Sequence, residues 1–190
     1  IRAIVDTIRV NKIDNNGCFR MFYSAGTSTN TSDGSTSRLQ KVNYFHANQV
    51  ADSACFEMFR NCVYLSIIPD TLYAKTVGTD GYRNMFYSTV ITETPVIAAT
   101  SLGERACQSM FESCSKLVTV NDLPCVNLSP STYAYMFSTC AALKNTPALP
   151  ASHIPAHAYD QMFLNNTALV QTPDLTAMRV VGDSACYHMF

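Results

Sequence analysis

Apolar residues recur along this chain at a fixed local spacing. Cys55, Met58, Phe59 and Cys62 fall at i, i+3, i+4 and i+7, and Cys107, Met110, Phe111 and Cys114 repeat the arrangement. That spacing lies on one face of a helix, so a short amphipathic helix is predicted at each copy. Polar starts support it. Ser129-Pro130 offers an N-cap with proline at the first helical position, and Asp52-Ser53 and Asp183-Ser184 offer caps just before the apolar face. A short β-prone piece follows each helix: Ile67-Ile68, Val90-Ile91-Thr92 or Val118-Thr119-Val120. A proline then closes it in most copies.

The unit repeats along the whole chain. Met-Phe pairs stand at Met21-Phe22, Met58-Phe59, Met85-Phe86, Met110-Phe111, Met136-Phe137, Met162-Phe163 and Met189-Phe190. After one long first step, their spacing is close to 26 residues, a period typical of stacked repeats. Other columns travel with the pair. Cys or Tyr stands three residues before each Met, Cys62, Cys114 and Cys140 four after it, and Leu65, Leu117, Leu143 and Leu169 seven after it. Pro69, Pro147 and Pro173 stand eleven after it, and Pro95 ten. The long step contains Ser24 to Arg38, rich in Ser, Thr, Gly, Asn and Asp, and reads as an inserted solvated loop.

One helix and one short strand cannot bury their apolar faces alone, whereas stacked copies can. The expected fold is an α/β right-handed solenoid of about seven coils, with short parallel strands on one side and short helices on the other. Residues 1–38 are expected to form a divergent capping unit, because no Cys or Leu follows Met21-Phe22 at the usual offsets. Residues 39–190 are the repeat stack, expected to continue beyond Phe190. The expected core comprises Met58, Phe59, Leu65, Met85, Phe86, Met110, Phe111, Leu117, Met136, Phe137, Leu143, Met162, Phe163 and Leu169.

The linked columns Ala54-Cys55-x-x-Met58-Phe59-x-x-Cys62-x-x-Leu65, their copy from Ala106 to Leu117, and Tyr133-x-x-Met136-Phe137-x-x-Cys140-x-x-Leu143-x-x-x-Pro147 resemble a known repeat. It is the 26-residue bacterial surface protein repeat of the BspA-like leucine-rich-repeat family. The resemblance covers roughly residues 39 to 190. It implies a non-enzymatic, extracellular or cell-surface module for interaction or adhesion, with a protein or glycan partner. A structural or receptor-binding part of a phage virion, or the binding domain of a larger hydrolase, are the alternatives.

Composition narrows the classes further. Lys+Arg 13 against Asp+Glu 14 gives a net charge of −1, which argues against a broad nucleic-acid binder. At 47% hydrophobic residues the chain is no disordered polymer. No apolar run approaches the ~18 residues of a membrane-spanning helix.

Candidate chemistry is sparse. If the Cys columns sit on packed helices ~8–10 Å apart, no disulfide can form, because its Cα atoms must lie within ~4.4–6.8 Å. Zinc-type cysteine pairs at close spacing are absent, so the thiols are read as reduced core filler, with no disulfide, metal or cofactor expected. His153 and His157 are four apart, but Pro155 lies between them and no Glu follows His153. Asp70, Asp122 and Asp174 lie two coils apart, too far for a carboxylate pair, and are read as turn-capping groups. No catalytic residues are expected. Recognition is placed on the outward strand column, at Glu93, Thr119, Asn145 and Gln171, with Ile67 in the same column. Ile68, Thr94, Val120, Thr146 and Thr172 point inward. Tyr64, Tyr73, Tyr87 and Tyr135 are secondary interface candidates.

Overall fold

The Met-Phe segments are stacked coils of tight turns, and the reason lies in where their amides point. The structure, a computed structural model, describes residues 2–25 and 38–190. Most of the expected inserted loop falls on residues 26–37, outside the described residues. In the second unit the N–H groups of Ala54, Phe56, Met58, Arg60 and Cys62 each donate to the carbonyl three residues back, at 3.1–3.3 Å. The intervening amides leave the coil. Ser53, Cys55, Glu57, Phe59 and Asn61 donate to Thr79, Gly81, Arg83, Met85 and Tyr87 of the next unit, at 2.8–3.0 Å. The same alternation runs from Asn16 in the first unit to Phe163 in the sixth.

The expected helices are therefore absent among the described residues. An α-helix uses its interior N–H groups within itself and has none left for a neighbour. Here every fourth residue instead takes a left-handed backbone. In the second unit these are Ser53, Glu57 and Asn61, with φ of 52°, 53° and 59°. In the fourth they are Arg105, Ser109 and Ser113, with φ of 54°, 54° and 62°. Each left-handed residue from Asn16 to Gln161 is one whose N–H reaches the next coil. The coil thus closes in four residues per turn, which also places i, i+3, i+4 and i+7 on one face. The expected caps are recast accordingly. Ser53 and Ser184 occupy the first left-handed position, and Asp52 accepts a bond from the Thr79 amide of the next coil at 2.8 Å.

Short parallel strands complete each unit. β1 (Arg2–Arg9) pairs with the strand at Arg38–His46, β3, one unit on. β2 (Lys12–Ile13), β4 (Gln49–Val50), β6 (Thr76–Val77) and β8 (Ser101–Leu102) form a four-stranded parallel sheet in that order, just before the turn coils. β5 (Thr71–Leu72) pairs with β7 (Val96–Ile97), and β9 (His153–Ile154) with β10 (Val180–Val181), all parallel. The expected strand after each Leu is reduced to single bridges, Lys41 with Ile67 and Glu93 with Thr119. Proline cannot donate to a ladder, and it closes the segment too soon for more. Neighbouring coils approach closely at Gly103, where a Cβ would lie 2.7 Å from the Gly78 carbonyl carbon.

The core is a column of like residues. Met58, Phe59, Met85, Phe86, Met110, Phe111, Met136, Phe137, Met162 and Phe163 are buried, as are Leu65, Leu117 and Leu143. Leu169 is half-buried and packs against this core. The phenyl rings stack from Phe22 to Phe190 with centroids 5.4–5.9 Å apart and planes within 12° of parallel. The stacking is offset-parallel packing that adds to their area burial.

Two stability outcomes follow. Met110→Asp puts an unpaired charge into the continuous core and should cost more than about 3 kcal/mol in chemical denaturation, whereas the exposed Gln171→Ala should cost less than about 0.5. Equal effects would refute this inside–outside assignment. Ser109 tests the left-handed column. Ser109→Val should be ~1–2 kcal/mol less stable than Ser109→Gly, because a β-branched residue resists that backbone.

Candidate functional site

Two sides of the stack carry the polar chemistry. On the turn side, left-handed positions hold charges that pair between coils. Arg20 Nε lies 2.5 Å from Glu57 Oε2, and Arg60 Nη1 lies 3.3 Å from Glu57 Oε1. Asp80 receives Arg105 Nε at 2.9 Å and Arg83 Nη1 at 3.3 Å, and Arg105 also pairs with Glu104. The Asp80 hydrogen bond is the main reason that the Arg105 guanidinium is held above its usual range. Arg60 lies 4.0 Å over the Tyr87 ring, a cation–π contact. This ladder was missed in the sequence, although polar residues at every fourth position signal it.

On the strand side the expected row is in place. Glu93, Thr119, Asn145 and Gln171 are all exposed, and so is Ile67, at 49%. Glu93 and Thr119 are bridged side by side. Val170 N–H donates to the Lys144 carbonyl at 3.0 Å, which carries the stacking on to the residues just before Asn145 and Gln171. The inward column is less uniform. Thr94 is buried, Ile68, Val120 and Thr146 are half-buried, and Thr172 is exposed.

The row does not gather into one pocket. Glu93 opens on a cleft of about 340 Å³ that spans three successive units. Its walls include Asp70 and Glu93, its apolar lining includes Ile67, Ile68 and Val96, and Asn121 closes one side. Asn121 is fixed there by two bonds to Thr94. Its amide N–H donates to Thr94 Oγ1 at 2.9 Å, and its Nδ2 donates to the Thr94 carbonyl at 2.6 Å. Among the described residues neither Asp70 nor Glu93 is in an ion pair. Gln171 borders a second cleft of about 420 Å³, lined also by Val170 and Phe190. Thr119 and Asn145 border neither.

The three aspartates read as capping groups take different roles. Asp122 Oδ1 accepts from the Ala148 amide at 2.9 Å, and Asp174 Oδ1 from the Thr176 amide at 2.8 Å. That Thr176 bond holds the Asp174 carboxyl below its usual range. Asp70 instead faces the cleft. The four tyrosine candidates are dispersed. Tyr64 lies under Arg38 and Tyr87 under Arg60, while Tyr135 accepts a 2.6 Å bond from Gln161 Nε2. Tyr73 lies against His46, 4.8 Å between ring centres.

His153 is exposed in β9, and His157 Nδ1 lies 3.3 Å from Asp160 Oδ2, so the two histidines are not joined in one cluster. The described residues contain no group of three or more His, Cys, Asp or Glu placed to hold a metal ion. All eight cysteines are free thiols, and burial pushes those of Cys62 and Cys114 up to about 11. Cys114 and Cys140 each donate to a carbonyl of the preceding coil, Phe86 at 3.2 Å and Phe111 at 3.1 Å. The helix-packing distance used to separate the Cys columns does not apply, because hydrogen-bonded coils stand closer than packed helices.

No family model and no curated protein matches the chain. A solved structure of a leucine-rich repeat protein from Bacteroides ovatus is similar to it, with 11% identity over 98% of this chain and 72% of that one and a TM-score of 0.28. A likeness at that score carries no inference about this chain's function.

The cleft's construction is testable. Asn121→Ala should lower stability by ~1–2 kcal/mol, because the carbonyl of the buried Thr94 loses the Nδ2 donor while the backbone bond to its Oγ1 remains. Glu93→Gln should leave the unfolding midpoint within ~0.5 kcal/mol of the parent. A loss at Glu93 as large as that at Asn121 would make Glu93 a structural residue.

Proposed function

We propose that this chain is a non-enzymatic protein-interaction module, built as a leucine-rich-repeat-like right-handed solenoid. The strand side is its recognition face. It takes an extended, cationic segment of a partner protein into the cleft beside Asp70 and Glu93. The observation that carries this reading is the pairing of charge and shape: among the described residues, two carboxylates without ion-pair partners border a cleft that also offers apolar surface at Ile67, Ile68 and Val96 among polar groups. A lysine or arginine between apolar residues matches both features, since its stem covers apolar surface while its head meets the carboxylates. The exposed polar row of Glu93, Thr119, Asn145 and Gln171 extends the contact along the stack. The adhesive, cell-surface setting is supported by the resemblance of the repeat columns alone.

Fluorescence anisotropy with labelled extended peptides tests the reading. A Val-Lys-Val-type peptide should bind, and added salt should weaken it. Asp70→Asn with Glu93→Gln should weaken binding about tenfold or more, since charged hydrogen bonds contribute ~1.5–3 kcal/mol. Equal binding by the double variant, or preference for an acidic peptide of the same length, would overturn it.

A further inference from the structure

Stacking brings two thiols together at the first interface between coils. Cys18 and Cys55 occupy the same column in successive units. The Cys18 N–H donates to the Ala54 carbonyl at 2.7 Å, so the two backbones run side by side at this point. Aromatic pairs stacked in the same register flank them, Phe19 on Phe56 and Phe22 on Phe59. Backbones hydrogen-bonded side by side stand ~4.8 Å apart, which falls within the ~4.4–6.8 Å Cα window of a disulfide. Both thiols are free.

We propose that Cys18 and Cys55 form a redox modification site, which closes into an intrachain disulfide by exchange with a small-molecule disulfide such as oxidised glutathione. The Cys18 thiolate attacks one sulfur of the reagent. A Cys18–glutathione mixed disulfide forms, and one glutathione thiolate leaves and takes up the Cys18 proton. The Cys55 sulfur then gives up its proton and attacks the Cys18 sulfur, expelling the second glutathione. Two protein thiols are oxidised, and one reagent disulfide is reduced to two thiols.

The other cysteines show why this pair is singled out. Cys114 and Cys140 are also stacked neighbours, but each thiol is committed to a backbone carbonyl and neither reaches the surface, whereas Cys18 keeps 8% exposure beside the fully buried Cys55. Tyr82 and Tyr133 occupy the column on either side of Cys107, and Tyr159 precedes Cys186. Cys18 is also the one thiol held below its ordinary range, at about 7, because the Cys55 thiol donates to its sulfur. Thiolate character of that kind is what makes a cysteine react first. Cys55 itself is held up by burial and by the hydrogen bond and charge of Cys18. The mixed disulfide removes that charge and so lifts one of the effects that keep the resolving thiol of Cys55 protonated, burial being the larger.

The folded full chain is incubated with oxidised glutathione near pH 7, quenched by alkylation, and mapped by mass spectrometry without reduction. Thiols counted after unfolding in denaturant should fall from eight to six. One cross-linked peptide pair should appear, holding Cys18 and Cys55 and lighter by two hydrogens. In Cys55→Ser the glutathione adduct should accumulate on Cys18. In Cys114→Ser the Cys18–Cys55 link should still form, with circular dichroism confirming that each variant folds. Eight thiols remaining in the parent chain, a link through other cysteines, or a Cys18 adduct that never resolves would overturn the assignment.

Discussion

The amide–carbonyl bonds between successive turn coils are the constraint on which the structure depends. Half of the amides in each Met-Phe segment bond within the coil, and half bond to the next one. A single unit therefore leaves a row of donors and a row of acceptors unmet, each expensive if buried without a partner. The second unit cannot be satisfied without the third. Interdependence of this kind is what makes a repeat stack cooperative between neighbours. It also fixes the register. Cys18 meets Ala54 and Cys107 meets Thr132, in each case one residue short of the equivalent position.

The same bonds explain the unusual backbone. A left-handed residue costs roughly 1–2 kcal/mol for any side chain with a Cβ. Such a position persists where surrounding structure over-determines it. Here the left-handed φ turns the N–H out of its own coil and onto the carbonyl of the next, so strain and bond occur at the same residues. The column is filled by polar residues in every unit: Ser53, Asp80, Arg105, Ser131 and His157 in one row, and Asn61, Ser88, Ser113, Thr139 and Asn165 in another. No aliphatic side chain appears in it. The side chains at these positions sit away from the Met-Phe core, which leaves the phenyl rings free to stack coil upon coil.

Much of this was legible in the sequence. The period, the buried columns and the outward row were readable because they depend only on which face a residue occupies. A four-residue turn and an α-helix give nearly the same faces, so Cys55, Met58, Phe59 and Cys62 could not tell them apart. The discriminating signal lay on the other face. Ser53, Glu57 and Asn61 stand four apart, and a helix would drift off that spacing by 40° per step. The mistaken helix carried a second error with it. Packed helices would have held the Cys columns too far apart to meet, whereas hydrogen-bonded coils bring Cys18 and Cys55 together. The cleft was out of reach for a different cause. It joins Asp70, Glu93 and Asn121 from three units, which meet at one opening only once the units are stacked.

The distribution of charge separates the two sides of the stack. On the turn side, the arginines at 20, 60, 83 and 105 are met by Glu57, Asp80 and Glu104, so this surface neutralises most of its own charge. Glu57 and Asp80 are themselves mostly buried, at 8% and 15% side-chain exposure, while their arginines reach solvent. The effect of the pairs is to occupy guanidinium groups that would otherwise be open to acidic partners. The strand side has no such ladder around Asp70 and Glu93. A chain with a net charge of only −1 thus still brings to one opening two carboxylates that lack ion-pair partners among the described residues. Charge of that kind steers an approaching cation more than it holds one. In the proposed complex the apolar walls of Ile67, Ile68 and Val96 would supply the rest of the contact, which favours a cationic segment with apolar neighbours over an isolated cation.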